Sequence, residues 1–241
     1  MHVKDKVVII TGASRGIGRA TALEFASQGA HVAVGSRSKD ELDSLVSEIE
    51  SAGGSAMAVE SDVARKADVD RFVNEAIKHF GTVDILVNNA GMGIYGDVAE
   101  ISEQDFDTMV DVNYKGVFLA TKAVLPIMMK QKSGHIITVS SVAGKRPFPK
   151  MAVYCGTKFA LDGFCKTLAK EVKPHNIRIS IIYPGMVETH FRDRMTNRPS
   201  YNAAERARML SGEDIARAIV FMADQREPAM IDELEINAPL F

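Results

Sequence analysis

The segment Thr11-Gly12-Ala13-Ser14-Arg15-Gly16-Ile17-Gly18 constrains this chain more than any other. It follows the apolar run Val7–Ile10 directly and leads into a stretch where apolar residues recur at helical spacing. A short run that is apolar throughout reads as a strand covered on both faces. Glycine at 12 allows a tight turn. Glycines at 16 and 18 remove the Cβ atoms that would block a diphosphate and the contact between helix and strand. The free N–H groups of the helix start then face the phosphates. Three glycines alone are a weak sign. Between a strand and a helix, at the start of a βαβ unit, they form a dinucleotide-binding fingerprint, which takes in Ser14, Arg15 and Ile17 as well.

The rest of the chain has the same rhythm. Candidate strands are Val7–Ile10, His31–Val34, Ala56–Val59, Ile85–Val87, His135–Val139, Arg178–Ile182 and Leu234–Ile236. Between them lie segments of helical spacing, such as Leu42, Leu45, Val46 and Ile49, then Val69, Phe72, Val73, Ala76 and Ile77. Short strands alternating with helices imply right-handed crossovers. The expected fold is α/β: a Rossmann-like, doubly wound, seven-stranded parallel sheet with helices on both faces. No linker composition or repeat interrupts it, so residues 1–241 read as one domain. The least regular stretch is 190–208, and a late helix is expected from Ser211, capped by Asp214.

The end of the second strand discriminates between cofactors. An NAD site usually carries an Asp or Glu there to accept hydrogen bonds from the ribose. Here the strand runs into Val34-Gly35-Ser36-Arg37, without a carboxylate. A carboxylate would repel the 2′-phosphate of NADP, whereas Arg37 can pair with it bidentately. Arg15 can approach the same phosphate from the glycine loop. The expected cofactor is therefore NADP(H).

Composition excludes several other classes. The 241 residues carry 29 basic and 31 acidic side chains, for a net charge of −2. That balance argues against coating nucleic acid or an anionic membrane. No segment approaches the ~18 consecutive apolar residues of a membrane span, and the N-terminus lacks the core of a secretory signal. A cytoplasmic location is expected. Cys155 and Cys165, if on one helix, stand about 15 Å apart along its axis and cannot form a disulfide with each other. They read as buried thiols of a reducing compartment.

Further along, the sequence resembles the short-chain dehydrogenase/reductase family over nearly its whole length. The glycine segment matches the family's TGxxxGIG. Asp62-Val63 stands where the family contacts adenine. Asn88-Asn89-Ala90-Gly91 matches its NNAG segment, and Asn113 its catalytic Asn. Ser141, Tyr154 and Lys158 match its Ser and YxxxK pattern, with the Ser thirteen residues before the Tyr. Pro184-Gly185, Val187 and Thr189 match the segment beside the nicotinamide. The resemblance implies an NADP-dependent oxidoreductase that interconverts a carbonyl and an alcohol by hydride transfer. It also implies a homodimer or homotetramer packed through the Tyr154 helix and the helix before it. Metal, nucleic acid and membrane are not expected as partners.

The chemistry also has its own logic. Tyr154 and Lys158, four residues apart, share a helix face. A free tyrosine has a pKa near 10, and a neighbouring ammonium is expected to lower it toward the working range. Ser141 would hydrogen-bond the substrate oxygen. The resemblance implies that Lys158 also holds the nicotinamide ribose and that Asn113 holds a water linking Lys158 to solvent.

Two features depart from the family: the tail, and Cys155-Gly156-Thr157 within YxxxK, which replaces the commoner residues but stays small enough for close cofactor approach. The tail Met230–Phe241 lacks the paired glycines of many members, which weakens a likeness to the fatty-acid ketoacyl-carrier reductases. It looks closer to dehydrogenases of small hydroxy acids, alcohols, aldehydes and ketones. The stretch 186–210 is the expected substrate lid. Its part from His190 to Arg208 holds Arg192, Arg194, Arg198, Arg206 and Arg208 against Asp193 and Glu205. An anionic substrate is one reading of these arginines, and a solvated lid is the plainer one. Met186, Phe191 and Met195 are candidate apolar contacts, with Met92, Gly93 and Ile94 on the opposite wall. A non-catalytic NADP-binding sensor on the same fold is the alternative function. It is disfavoured because such proteins typically lose the Tyr or the Lys. Epimerase or dehydratase relatives run longer, and enoyl reductase relatives space the two residues more widely.

Overall fold

A computed structural model describes residues 3–189, 191 and 201–239. Seven strands form one parallel sheet: β1 (Val7–Thr11), β2 (His31–Ser36), β3 (Ser55–Glu60), β4 (Ile85–Asn88), β5 (Gly134–Val139), β6 (Ile177–Pro184) and β7 (Glu233–Ile236). Their order is β3-β2-β1-β4-β5-β6-β7. The chain thus winds outward from β1 in one direction and from β4 in the other. The crevice between their C-terminal ends is the topological switch point, where α/β sheets of this kind bind ligands.

All seven expected strands are present, each longer by one to three residues. The added residues matter most at C-terminal ends. Thr11, Asn88 and Pro184 belong to strands, so the motif residues that follow them leave the sheet directly into the crevice.

The pleat sorts the core into two layers. Val8 and Ile10 face α1 (Gly16–Ser27), α2 (Lys39–Ser51) and α8 (Gly212–Ala223), whose Phe25, Leu42, Leu45 and Ile219 are fully buried against them. Ile9 and Leu86 face α3 (Lys66–Phe80), α5 (Gly116–Gln131) and α6 (Ala152–Val172) through Phe72, Val124 and Cys165. Each fully buried aliphatic or aromatic side chain contributes roughly 1.5–3 kcal/mol from removal of apolar area from water. Every residue of β1 is buried, whereas the edge strand β7 is exposed or half-buried. The continuous apolar run of the one and the Glu–Leu–Glu–Ile alternation of the other follow from these positions.

The late helix begins as expected. Ser211 Oγ accepts from the Asp214 N–H at 3.1 Å, and Asp214 Oδ2 accepts from the Ser211 N–H at 2.8 Å. A further short helix, α7 (Ala203–Arg206), precedes it. Cys155 and Cys165 both lie on α6, buried and free, and burial pushes the Cys165 thiol up to about 11. Among the described residues, no helix is long and apolar enough to cross a membrane.

Candidate active site

A cavity of about 690 Å³ opens at the switch point. Every expected cofactor residue except Gly18 borders it, as does Ser141. Asn113 lies behind its wall, fully buried.

The phosphate loop and the NNAG loop are stitched together. Thr11 Oγ1 accepts from the N–H groups of Asn89 and Ala90 at 3.1 and 3.2 Å. The Asn89 amide donates to the carbonyls of Thr11 and Gly12, both at 3.0 Å. Gly12 takes a φ of +65°, and a Cβ there would come within 2.7 Å of Ala90 Cα. A Cβ at Gly18 would meet the Gly12 carbonyl at 2.4 Å. The reason for Gly18 is thus contact within the protein, between the helix start and the turn, rather than the diphosphate. Gly16 borders the cavity and also needs its left-handed φ of +57°.

At the far end of the cavity stand Ser36, Arg37 and Arg15, the last as N-cap of α1. Neither arginine has an ion-pair partner among the described residues, whereas Arg19 nearby is bonded to Glu48. Asp62 and Val63 follow β3 on the same side. The Asp62 carboxylate accepts from the Ala64 N–H at 3.0 Å, which fixes the turn.

The other end is built by β5, α6 and the segment after β6. Ser141 caps a single 3-10 turn (Val142–Gly144), its Oγ accepting from the Ala143 N–H at 3.1 Å. Tyr154 borders the cavity together with Ser141. Tyr154 and Lys158 lie one turn apart on α6, both buried, with Lys158 Nζ 5.7 Å from the Tyr154 ring centroid. Lys158 Nζ donates to the Val139 carbonyl at 3.0 Å.

The expected lowering of the tyrosine pKa is reversed in the structure. Burial pushes Tyr154 up to about 12, although the neighbouring Ser141 hydroxyl works the other way. Burial also brings Lys158 down to about 8. Desolvation disfavours both charged forms here. At neutral pH the phenol is a held proton, suited to donation toward a developing alkoxide.

Asn113 is engaged differently from the expectation. It lies in a π-helical turn (Asp111–Lys115) that joins α4 (Glu103–Val110) to α5. Its amide oxygen accepts from the Met92 N–H and its amide nitrogen donates to the Met92 carbonyl, both at 2.8 Å. The second amide hydrogen goes to Thr157 Oγ1 at 3.1 Å. The side chain is therefore a clamp between the loop after β4 and α6, with one lone pair left for a water. Thr157 was not singled out by the sequence, since small polar residues inside a helix carry no signal of their own.

Beyond β6, Gly185 packs against the tail. Its N–H donates to the Ile236 carbonyl at 2.8 Å, and a Cβ there would meet Asn237 Oδ1 at 2.5 Å. Thr189 lies against Gly16, 3.4 Å from where a Cβ would stand. Val187 pairs with Leu210, closing the base of the 186–210 excursion. Arg206 is bonded to Glu188 at 2.9 Å and does not border the cavity, and neither does Arg208. Arg192, Asp193, Arg194, Met195 and Arg198 lie outside the described residues. Met92, Gly93, Met186 and Phe191 border the cavity as expected, whereas Ile94 packs behind it and Tyr95 takes its place. Phe148, Pro149, Met151 and Tyr201 border it too. The signal for the first three was Phe148-Pro149 and Met151 set among Lys145, Arg146 and Lys150 just before Tyr154.

Comparison with known proteins agrees with this geometry. Residues 6–200 match the short chain dehydrogenase family. The 3-oxoacyl-[acyl-carrier-protein] reductase FabG of Thermotoga maritima is 38% identical over 226 residues, 92% of each chain. That likeness arises despite the missing glycine pair in the tail. The solved alcohol dehydrogenase of Thermococcus sibiricus, complexed with 5-hydroxy-NADP, superposes with a TM-score of 0.89 at 30% identity, covering 98% of this chain and 97% of that one. The 3-ketoacyl-(acyl-carrier-protein) reductase of Brucella melitensis, complexed with NADH, gives 0.89 at 32% identity and 98% coverage of both. The chain belongs to the short-chain dehydrogenase family.

Proposed function

We propose that the protein is an NADP(H)-dependent oxidoreductase that reduces a ketone or aldehyde to an alcohol, and runs in reverse at higher pH. The observation that carries this reading is the single cavity with two ends. One end has a glycine loop, a helix N-terminus and two arginines without carboxylate partners among the described residues. The other has Ser141, Tyr154 and Lys158 on its wall, with Lys158 Nζ 5.7 Å from the Tyr154 ring.

The cradle fits a dinucleotide. Gly12 brings the backbone close to the crevice, and α1 directs its first N–H groups there. Arg15 and Arg37 suit a 2′-phosphate, and Ser36 can add a hydroxyl. Relatives of this fold are known with either cofactor form, so the choice rests on those arginines. When bound, NADPH supplies the hydride. Ser141 and Tyr154 hold the carbonyl oxygen, and Tyr154 gives it a proton. Lys158 holds the ribose and favours the phenolate that remains, and the proton returns through a water at Asn113.

On this reading residues 1–241 act as one cofactor-binding domain, with 186–210 as the lid over the substrate. The molecule is a homodimer or homotetramer. Phe118 on α5 and Phe159 on α6 are 42% and 46% exposed, which supports a partner on that face. Light scattering reads the assembly directly.

NADPH consumption followed with a panel of ketones, aldehydes and keto acids tests the activity. Turnover of at least one carbonyl with NADPH is expected. Tight NADPH binding without any turnover would favour the sensor alternative.

A further inference from the structure

Among the described residues, the four charged ones that border the cavity, Arg15, Arg37, Asp62 and Lys158, all lie where the cofactor is placed above. The wall facing Ser141 and Tyr154 is of another kind. It consists of Met92 and Tyr95 after β4, Phe148 and Met151 before α6, and Phe191 and Tyr201 from the lid region. The Phe191 ring lies 5.8 Å from the Tyr154 ring, tilted by 57°. Phe148, which borders the cavity, is 39% exposed.

This wall is tied in place. The Gly96 N–H donates to the Lys150 carbonyl at 2.9 Å, joining the two loops behind their apolar residues. The Lys150 ammonium pairs with Asp97 at 3.5 Å, where both side chains are about half exposed. The charge in the Phe148–Met151 loop therefore faces a partner on the rim. A carboxylate placed beside the reacting carbonyl would lose water and meet no cation among the described residues of this wall. An aryl or branched alkyl group would cover Phe148 and Phe191 and release water from both.

We infer that the substrate carries a neutral apolar substituent, aryl or branched alkyl, beside its carbonyl, selected by Phe191, Phe148 and Met151. This rests on the carbonyl-reductase reading above. It assigns a role to Phe148 and Met151, and it sets small keto acids apart from the preferred substrates.

A matched pair tests it. Acetophenone and phenylglyoxylate differ only in a methyl against a carboxylate. With the full chain and NADPH, acetophenone is expected to show a kcat/KM at least about tenfold higher. Phe191→Ala is expected to lower that value about tenfold, mainly through KM, and Phe191→Leu to recover part of the loss. Thermal melts of both variants verify folding. Binding of 1-phenylethanol and mandelate to the NADP-loaded protein, by calorimetry, gives a readout without turnover. Preference for 1-phenylethanol without reduction of acetophenone would uphold the apolar pocket and overturn the reductase reading. Preference for phenylglyoxylate and mandelate, or no binding of either alcohol, would overturn the inference.

Discussion

The amide of Asn113 donates to Thr157 Oγ1 at 3.1 Å, and that hydroxyl donates in turn to the Tyr154 carbonyl at 2.7 Å. With the Met92 bonds, this makes a buried polar bridge from the loop after β4 to the helix that bears Tyr154 and Lys158. Asn113→Ala leaves the Met92 N–H and carbonyl without these partners, at a cost of ~1–3 kcal/mol in stability. It is also expected to lower kcat about a hundredfold by misplacing Tyr154. Thr157→Val breaks only the second link, so its loss is expected to be smaller, and Thr157→Ser to restore it. Urea melts and steady-state kinetics on the three variants measure both effects.

Tyr154 and Lys158 set the pH dependence. With the phenol pushed up to about 12, the proton needed for reduction is present across the neutral range. Lys158, brought down to about 8, is the group that changes charge within it. Reductive kcat/KM is expected to hold level below about pH 8 and to fall above it as the ammonium is lost. Oxidation of the alcohol, which needs the phenolate, is expected to climb with pH. Lys158→Met is expected to remove the limb near 8 along with most of the activity.

On the proposed reading, Arg15 and Arg37 decide the cofactor. Replacing either by Ala is expected to weaken NADPH binding by about ten- to a hundredfold, as expected for loss of a charge-assisted pair of bonds, with little change for NADH. Fluorescence titration of both nucleotides checks this. Equal losses for the two would mean that the arginines act on the diphosphate instead.

A separate prediction concerns stability in acid. His135 is buried, and its Nε2 lies 2.8 Å from Ser180 Oγ. That hydroxyl donates to the Ile231 carbonyl at 2.7 Å, so Nε2 carries the ring proton and donates to it. Nδ1 has no partner. Desolvation, with the Arg178 charge adding to it, holds the histidine well below its ordinary 6.5. Below pH 6.5 the unfolded chain takes up a proton that the folded chain refuses. Stability is therefore expected to fall as pH drops through that window, by at most about 1.4 kcal/mol per pH unit from this group. In His135→Leu the same melts are expected to show a shallower slope.

Much of this was legible in the sequence because the signals were periodic or local. All seven strands were visible as short apolar or β-branched runs between turn signals, and the Ser211–Asp214 box was written in two residues. The glycine loop was legible in position but only partly in reason, since Gly18 is needed against the Gly12 carbonyl, a contact between neighbouring turns. The reversal at Tyr154 was not legible. A four-residue spacing gives proximity to Lys158, but the sign of the shift depends on how much water reaches the pair. The clamp through Thr157 and the wall of Phe148, Met151 and Tyr201 depend on loops folding back across the sheet, which no local pattern encodes.

The central claim is that Tyr154 gives the proton while the other end of the cavity binds the cofactor. A single-turnover experiment with Tyr154→Phe tests it most directly, using NADPH-loaded protein and the best carbonyl of the panel. The rate of NADPH oxidation is expected to fall by about a hundredfold to ten-thousandfold, with NADPH affinity unchanged. Full turnover by Tyr154→Phe at the rate of the unaltered protein would contradict the account.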